Sequence, residues 1–123
     1  MNESPKHIAV LGAGSWGTAL AVHFAGAGGH RVRLWARDVE LARRMAEERT
    51  NPEYLPGVEL PPRLEPTSDL EALHGCHFHL LVVPSHGFRQ VLRQFLQVYP
   101  KGSSSWGVGT ISEVVSLVTM ILL

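Results

Sequence analysis

The chain has 123 residues, of which 45% are hydrophobic and 18% charged, so it can bury the core of one globular domain and disorder is not expected. Eleven Lys and Arg residues balance eleven Asp and Glu residues without a long basic run, which gives no support for a nucleic acid or an anionic membrane as partner. The single cysteine, Cys76, excludes an internal disulfide, and the amino terminus carries no apolar signal core or membrane-length span, so we expect a cytoplasmic protein.

A glycine-rich hexamer, Gly-Ala-Gly-Ser-Trp-Gly at residues 12–17, separates an apolar strand predicted over 7–11 from a predicted helix. Gly12 permits a tight turn out of the strand, Gly14 lets the backbone approach a pyrophosphate, and Gly17 lets the helix pack against the sheet. The N–H groups at the helix start would then face the anion. The hexamer predicts a phosphate-binding turn, with a ligand-free strand-to-helix turn as the alternative.

A second strand, predicted over 31–36, follows the helix predicted over 15–27 and completes a βαβ unit. In this motif an acidic residue about twenty positions beyond the last glycine binds the ribose 2′-hydroxyl, whereas an Arg there accommodates a 2′-phosphate. Counting about twenty positions from Gly17 reaches Arg37, and Asp38 is better placed to cap the next helix. This arrangement favours NADP(H), with NAD(H) left open and a solvated Arg37 without ligand as the alternative.

The remaining segments continue the alternation of helices and strands and end in a strand pattern near the carboxyl terminus. In order they are a helix over 39–49, a loop with four prolines over 50–62, an edge strand over 64–66, a short helix opened by the capping box Ser-Asp-Leu-Glu at 68–71, a buried strand over 78–83, a helix over 86–98 and a strand over 103–108. The pattern predicts an α/β fold with a doubly wound parallel sheet, whose ligand cleft lies beyond the carboxyl ends of the strands.

A cluster of potential metal ligands lies at His74, Cys76, His77 and His79. Its spacing matches no standard structural zinc pattern, so we predict no metal site.

Three blocks of the sequence together resemble the N-terminal domain of bacterial NAD(P)-dependent glycerol-3-phosphate dehydrogenase. They are residues 8–20, which include Ser-Trp-Gly-Thr after the second glycine, then Asn-Pro-Glu-Tyr-Leu-Pro-Gly at 51–57, and Leu-Val-Val-Pro-Ser-His at 81–86. The resemblance implies a Rossmann-type fold. It also implies an oxidoreductase that reduces dihydroxyacetone phosphate to sn-glycerol 3-phosphate with NAD(P)H, in the synthesis of phospholipid precursors.

The resemblance also implies a set of cofactor-binding residues. Ser15 and Trp16 would contact the cofactor at the turn, and Arg37 would lie by the adenosine ribose. Phe88 would pack near the cofactor, and Tyr54 in the second block is a further candidate for the same cleft. The expected cofactor site joins these side chains to the three glycines Gly12, Gly14 and Gly17.

After about residue 103 the sequence departs from the family it resembles. The family carries a Thr-Lys-Gly-apolar-Glu segment and a helical C-terminal substrate domain, each with a functional lysine, whereas residues 106–113 contain no lysine. The only lysines in the chain are Lys6 and Lys101. We therefore predict an NAD(P)-binding domain over 1–103 and a divergent apolar tail over 104–123, produced by truncation or a shifted reading frame.

Two functions stay open at this point, and a third, an unrelated Rossmann domain such as a flavin or sugar-nucleotide enzyme, would require the match of the second block to be coincidence. The chain is either the cofactor-binding part of the dehydrogenase, inactive by itself, or a dinucleotide-binding module without chemistry or a decayed fragment. The expected partner is a nicotinamide dinucleotide, with dihydroxyacetone phosphate and glycerol 3-phosphate as partners only of the full-length family. The oligomeric state is left open between a monomer and a homodimer.

Overall fold

The computed structural model describes residues 5–83 and 85–98, to which all structural statements refer. In chain order the elements are β1 (His7–Leu11), α1 (Ser15–Ala25), β2 (Arg31–Trp35), α2 (Val39–Glu48), β3 (Thr50–Asn51), β4 (Leu55–Glu59), β5 (Leu64–Thr67), a 3-10 helix (Leu70–Leu73), β6 (Phe78–Leu81) and α3 (Ser85–Val98). The strand expected over 103–108 lies outside the described residues.

Four of the strands form a parallel sheet in the order β5-β2-β1-β6. The chain proceeds outward from β1 through β2 to β5, and then crosses to the other side of β1 to form β6. The strand order therefore reverses at β1, which is the point where a doubly wound sheet opens a crevice at its carboxyl edge. The predicted sheet type is confirmed, and β5 with Pro66 lies at an edge, as expected.

Two apolar layers cover the sheet, one on each face. Val10 and Leu34 belong to the layer that includes Leu41 and Met45 of α2. Ala9 and Leu11 of β1 and Trp35 of β2 belong to the other layer, which includes Phe95 of α3. Successive strand residues point to opposite faces, so the apolar run of β1 is explained by burial on both sides.

The proline-rich segment over 50–62 is not a loop throughout, and that expectation was wrong. β3 and β4 pair antiparallel, with Thr50 opposite Glu59 and Asn51 opposite Leu55, across an irregular register. In a sheet of only two strands each strand has an unpaired edge, so Pro56 is accommodated without the loss of a ladder hydrogen bond.

Smaller differences concern the ends of elements. The 3-10 helix is capped by Asp69, whose Oδ1 accepts a hydrogen bond from the Glu71 N–H at 2.9 Å, and not by Ser68 as the capping box predicted. α2 ends at Glu48 because Arg49 adopts a left-handed conformation with φ of 57°. In the described part of the chain, none of the helices has the length and apolar character needed to cross a membrane.

Candidate functional site

Two glycines of the hexamer are required by the packing of the protein on itself. Gly12 has φ of 128°, and a Cβ placed there would lie 2.1 Å from the Val82 carbonyl oxygen. A Cβ at Gly17 would lie 1.8 Å from the carbonyl oxygen of Gly12. No side chain fits at such distances, so these two positions bring the start of α1 against the turn and the end of β6.

Gly14 has a different explanation, because none of the described residues fills the space beside it. A Cβ at Gly14 would meet no described atom within 4 Å, and its φ of −75° is accessible to any residue. Gly14 is the N-cap of α1, whose first turn has no side-chain cap and no acidic residue. The helix therefore presents N–H donors and the positive end of its dipole beside open space, which fits the close approach of a phosphate group.

A cleft of about 390 Å³ opens at the carboxyl ends of β1, β2 and β6. It brings together four of the residues expected at the cofactor site, namely Gly12, Gly14, Arg37 and Tyr54. The opposite wall includes apolar and amide side chains at Val83 and from α3, Gln90 and Val91. A partly apolar cleft that has the cationic Arg37 in its described lining suits a ligand with a flat ring system and an anionic centre.

Ser15, Trp16 and Gly17 are not among the residues that line this cleft. The Ser15 hydroxyl donates a hydrogen bond to the Tyr54 carbonyl oxygen at 2.8 Å, and the Trp16 side chain is 70% exposed. Gly17 is buried within the turn. The side chain of Phe88 lies outside the described residues.

The start of α2, at the same edge of the sheet, is closed by its own side chains. Asp38 Oδ1 accepts hydrogen bonds from the N–H groups of Glu40 at 2.9 Å and of Leu41 at 3.3 Å. Asp38 therefore acts as the helix cap that its position predicted. A hydrogen bond from Arg43 holds the pKa of the Glu40 carboxyl below its ordinary value, so the first turn of α2 carries a second negative charge.

Asn51 is the first residue of the second block, and no role was predicted for it from the sequence. The structure buries Asn51 completely, and its Nδ2 donates hydrogen bonds to the Ala13 carbonyl oxygen at 2.9 Å and to Thr18 Oγ1 at 2.8 Å. Its Oδ1 accepts a hydrogen bond from the Tyr54 N–H at 3.1 Å. An Asn directly after a predicted helix and before Pro reads locally as a turn residue, so the sequence contained no signal for these distant partners.

The histidine and cysteine cluster does not form a metal centre in the described residues, where no group of three or more His, Cys, Asp or Glu side chains is arranged to hold an ion. Burial lowers the pKa of His79 and raises the pKa of the Cys76 thiol. Both shifts favour the neutral forms of these side chains, which suits residues that pack beside the sheet.

The reversal of strand order, the glycine turn and the cleft beside it define the class of this protein as a Rossmann-type dinucleotide-binding domain. Residues 7–109 match the family model described as the NAD-dependent glycerol-3-phosphate dehydrogenase N-terminus, and the chain belongs to this family. The resemblance inferred from the three sequence blocks is confirmed.

Individual relatives agree with the family. The chain is 55% identical over 95 residues to a glycerol-3-phosphate dehydrogenase [NAD(P)+] of Thioalkalivibrio sulfidiphilus, covering 76% of this chain and 28% of the relative. It is 58% identical over 86 residues to one of Deinococcus radiodurans, covering 69% and 26%. A crystal structure of glycerol-3-phosphate dehydrogenase from Coxiella burnetii superimposes with a TM-score of 0.73 at 40% identity, covering 78% and 30%. The chain thus spans less than a third of the length of these relatives.

Proposed function

We propose that the chain binds a nicotinamide dinucleotide, NADP(H) or NAD(H), with the pyrophosphate at the start of α1. The observation that carries the proposal is Gly14. The packing of the described residues explains Gly12 and Gly17, whereas Gly14 borders open space beside helix donors that have no side-chain cap. A backbone that approaches a bound phosphate closely needs this combination.

The proposed cofactor site assigns distinct tasks to the side chains around the turn. Arg37 lies at the cleft wall, where its guanidinium would pair with a 2′-phosphate or stack on the adenine. Tyr54 would cover the cleft from the hairpin formed by β3 and β4 (residues 50–59), and the Ser15 hydroxyl holds the Tyr54 carbonyl oxygen. Trp16 is exposed beside the turn and would contact the dinucleotide there, and the role of Phe88 rests on the family resemblance.

The activity of the family would follow from this binding. When bound, the dinucleotide supplies hydride, and we propose that the whole enzyme delivers it to dihydroxyacetone phosphate in the cytoplasm. Residues 106–113 contain no lysine, so we expect the 123-residue chain to hold the dinucleotide without turnover. We also predict that the dinucleotide-binding domain ends near residue 103. That the protein forms a homodimer is a further prediction.

Thermal unfolding of the chain with and without NADPH or NADH tests the binding. A ligand at one hundred times its Kd stabilises the folded state by about 2.7 kcal/mol, which raises the melting temperature by several degrees. An unchanged melting temperature with both nucleotides would contradict the proposal. Saturable oxidation of NADPH by the purified chain in the presence of dihydroxyacetone phosphate would contradict the expected lack of turnover.

Cofactor preference is tested by the variant Arg37→Ala. If Arg37 pairs with the 2′-phosphate, the variant weakens NADPH binding by about tenfold and leaves NADH binding within about twofold. Isothermal titration with both nucleotides measures the difference. An equal loss for both would assign Arg37 to the adenine and not to the phosphate.

A further inference from the structure

The carboxamide of Asn51 joins two segments that are far apart in the sequence. Its Nδ2 is 2.9 Å from the carbonyl oxygen of Ala13, inside the glycine-rich turn, and 2.8 Å from the hydroxyl of Thr18 in the first turn of α1. Its Oδ1 receives the N–H of Tyr54, in the connection between β3 and β4, at 3.1 Å. Asn51 and Thr18 are both fully buried, so protein groups and not bulk water satisfy these atoms.

A second contact ties the same two segments together at the surface. The Ser15 hydroxyl donates to the carbonyl oxygen of Tyr54 at 2.8 Å, so both backbone polar groups of Tyr54 are held by side chains. Thr18 in turn donates its N–H to the Gly14 carbonyl oxygen at 3.0 Å. The buried amide is thus connected to both the N-cap of α1 and the hairpin that borders the cleft.

The chemistry of the site requires a carboxamide. Two donors and one acceptor are needed on a single small planar group, because Ala13 offers a carbonyl oxygen, Thr18 a hydroxyl oxygen and Tyr54 an N–H. A carboxylate has no N–H to give to the Ala13 carbonyl oxygen, and an aliphatic side chain would leave the polar groups of both segments buried without a partner.

We propose that Asn51 is a positioning residue of the dinucleotide cleft. By holding the Ala13 carbonyl, the Thr18 hydroxyl and the Tyr54 N–H in one arrangement, it fixes the hairpin relative to the phosphate-binding turn. The proposal rests on the proposed function, since it assigns the hairpin a part in shaping the site for the dinucleotide. Tyr54 is then presented to the cleft by the same contact that orders the turn.

Asn51→Ala is the obvious variant, but it removes the partner of the Tyr54 N–H and of two buried oxygens, the Ala13 carbonyl and the Thr18 hydroxyl, and it is expected to unfold the domain. Two substitutions of Thr18 separate hydrogen bonding from packing more clearly. Thr18→Val keeps the volume and removes the hydroxyl that accepts from Asn51, whereas Thr18→Ser keeps the hydroxyl and removes a methyl group. Packing and hydrogen bonding therefore predict opposite orders for the two variants.

Two measurements on the full chain decide the question, and one of them needs no ligand. Amide hydrogen exchange at Tyr54 reports whether its N–H remains bonded to Asn51, and titration with NADPH reports the cleft. We expect Thr18→Val to speed exchange at Tyr54 and to weaken NADPH binding, each by about tenfold, and Thr18→Ser to stay within about twofold of wild type in both.

The opposite order, with Ser more harmful than Val, would show that Thr18 and Asn51 serve packing alone and would overturn the proposal. Unchanged exchange and unchanged binding in Thr18→Val would overturn it as well. If the wild-type chain binds neither NADPH nor NADH, the proposed function fails. In that case hydrogen exchange at Tyr54 in the two Thr18 variants still decides whether Asn51 fixes the hairpin relative to the glycine-rich turn.

Discussion

Two of the helices that start at the carboxyl edge of the sheet, α1 and α2, differ in how their first turns are satisfied. α1 begins at Gly14 without a side-chain cap or an acidic residue, and the space beside Gly14 is open. α2 begins at Asp38, whose carboxylate accepts two backbone N–H groups, and it carries Glu40 in its first turn. Both helices follow neighbouring parallel strands, β1 and β2. The first turn of α1 is open to an anion, whereas the first turn of α2 is closed by the Asp38 side chain.

The difference supports the proposal that the phosphates of a dinucleotide bind at the start of α1 and not at the start of α2. A capped start has already bonded its donors and placed negative charge at the positive end of the dipole, so it repels a second anion. An uncapped start beside open space keeps both the donors and the field for a ligand. Asp38 lines the cleft while it caps α2, which leaves Arg37 as the cationic group beside it.

The largest effect is expected for Gly17→Ala. The new Cβ would lie 1.8 Å from the Gly12 carbonyl oxygen, and because that atom belongs to the backbone the start of α1 must move. We expect a loss of about 3 kcal/mol or more in the free energy of unfolding, measured by urea denaturation. A variant as stable as wild type would show that the packing account of this glycine is wrong.

Gly14→Ala is the matched substitution and should separate binding from folding. The new Cβ meets no described atom and the backbone angles suit alanine, but alanine is a poorer N-cap than glycine, so the stability is expected to stay within about 1 kcal/mol of wild type. The methyl group occupies the space that a phosphate needs, so NADPH affinity should fall by at least about tenfold. Unimpaired binding in a folded Gly14→Ala chain would place the phosphates elsewhere.

The closed helix start is tested by two variants of its cap. Asp38→Ala removes the acceptor for two N–H groups and is expected to cost about 1 kcal/mol in the free energy of unfolding. Asp38→Asn keeps a side-chain oxygen and should cost little. Urea denaturation of both variants checks the order, and equal losses would mean that the charge and not the hydrogen bonds supports α2.

The smallest effect concerns the charge in the first turn of α2. The folded pKa of Glu40 lies below its ordinary value, so its contribution to stability is present at neutral pH and is lost as the pH falls through the folded pKa. We expect Glu40→Gln to flatten the dependence of the urea midpoint on pH slightly at and below the ordinary pKa. α1 has no acidic residue in its first turn, so no corresponding titration is expected there. A pH dependence that Glu40→Gln leaves unaltered would show that the Glu40 charge does not contribute to the stability of α2.

Much of the fold followed from local patterns. The apolar runs of β1 and β6, the alternation in β2 and the amphipathic helix α2 were recognised, because burial on a sheet or beside it imposes a short period on the sequence. The pairing of β3 with β4 was missed, since its prolines are typical of loops. One helix cap was predicted correctly and one was not. Asp38 caps α2 as predicted, whereas the cap of the 3-10 helix was predicted at Ser68, one residue before Asp69.

The sequence by itself determined the class of fold, the glycine turn and the family, because those depend on residue types at short, regular spacings. Only the tertiary structure distinguished Gly14 from Gly12 and Gly17, since the distinction depends on which atoms lie beside each glycine. Only the tertiary structure also showed the hydrogen bonds of Asn51 to Ala13 and Thr18, which are 38 and 33 positions away along the chain. Such partners are chosen when elements pack together, and a buried amide bonds to whatever polar groups that packing brings within reach.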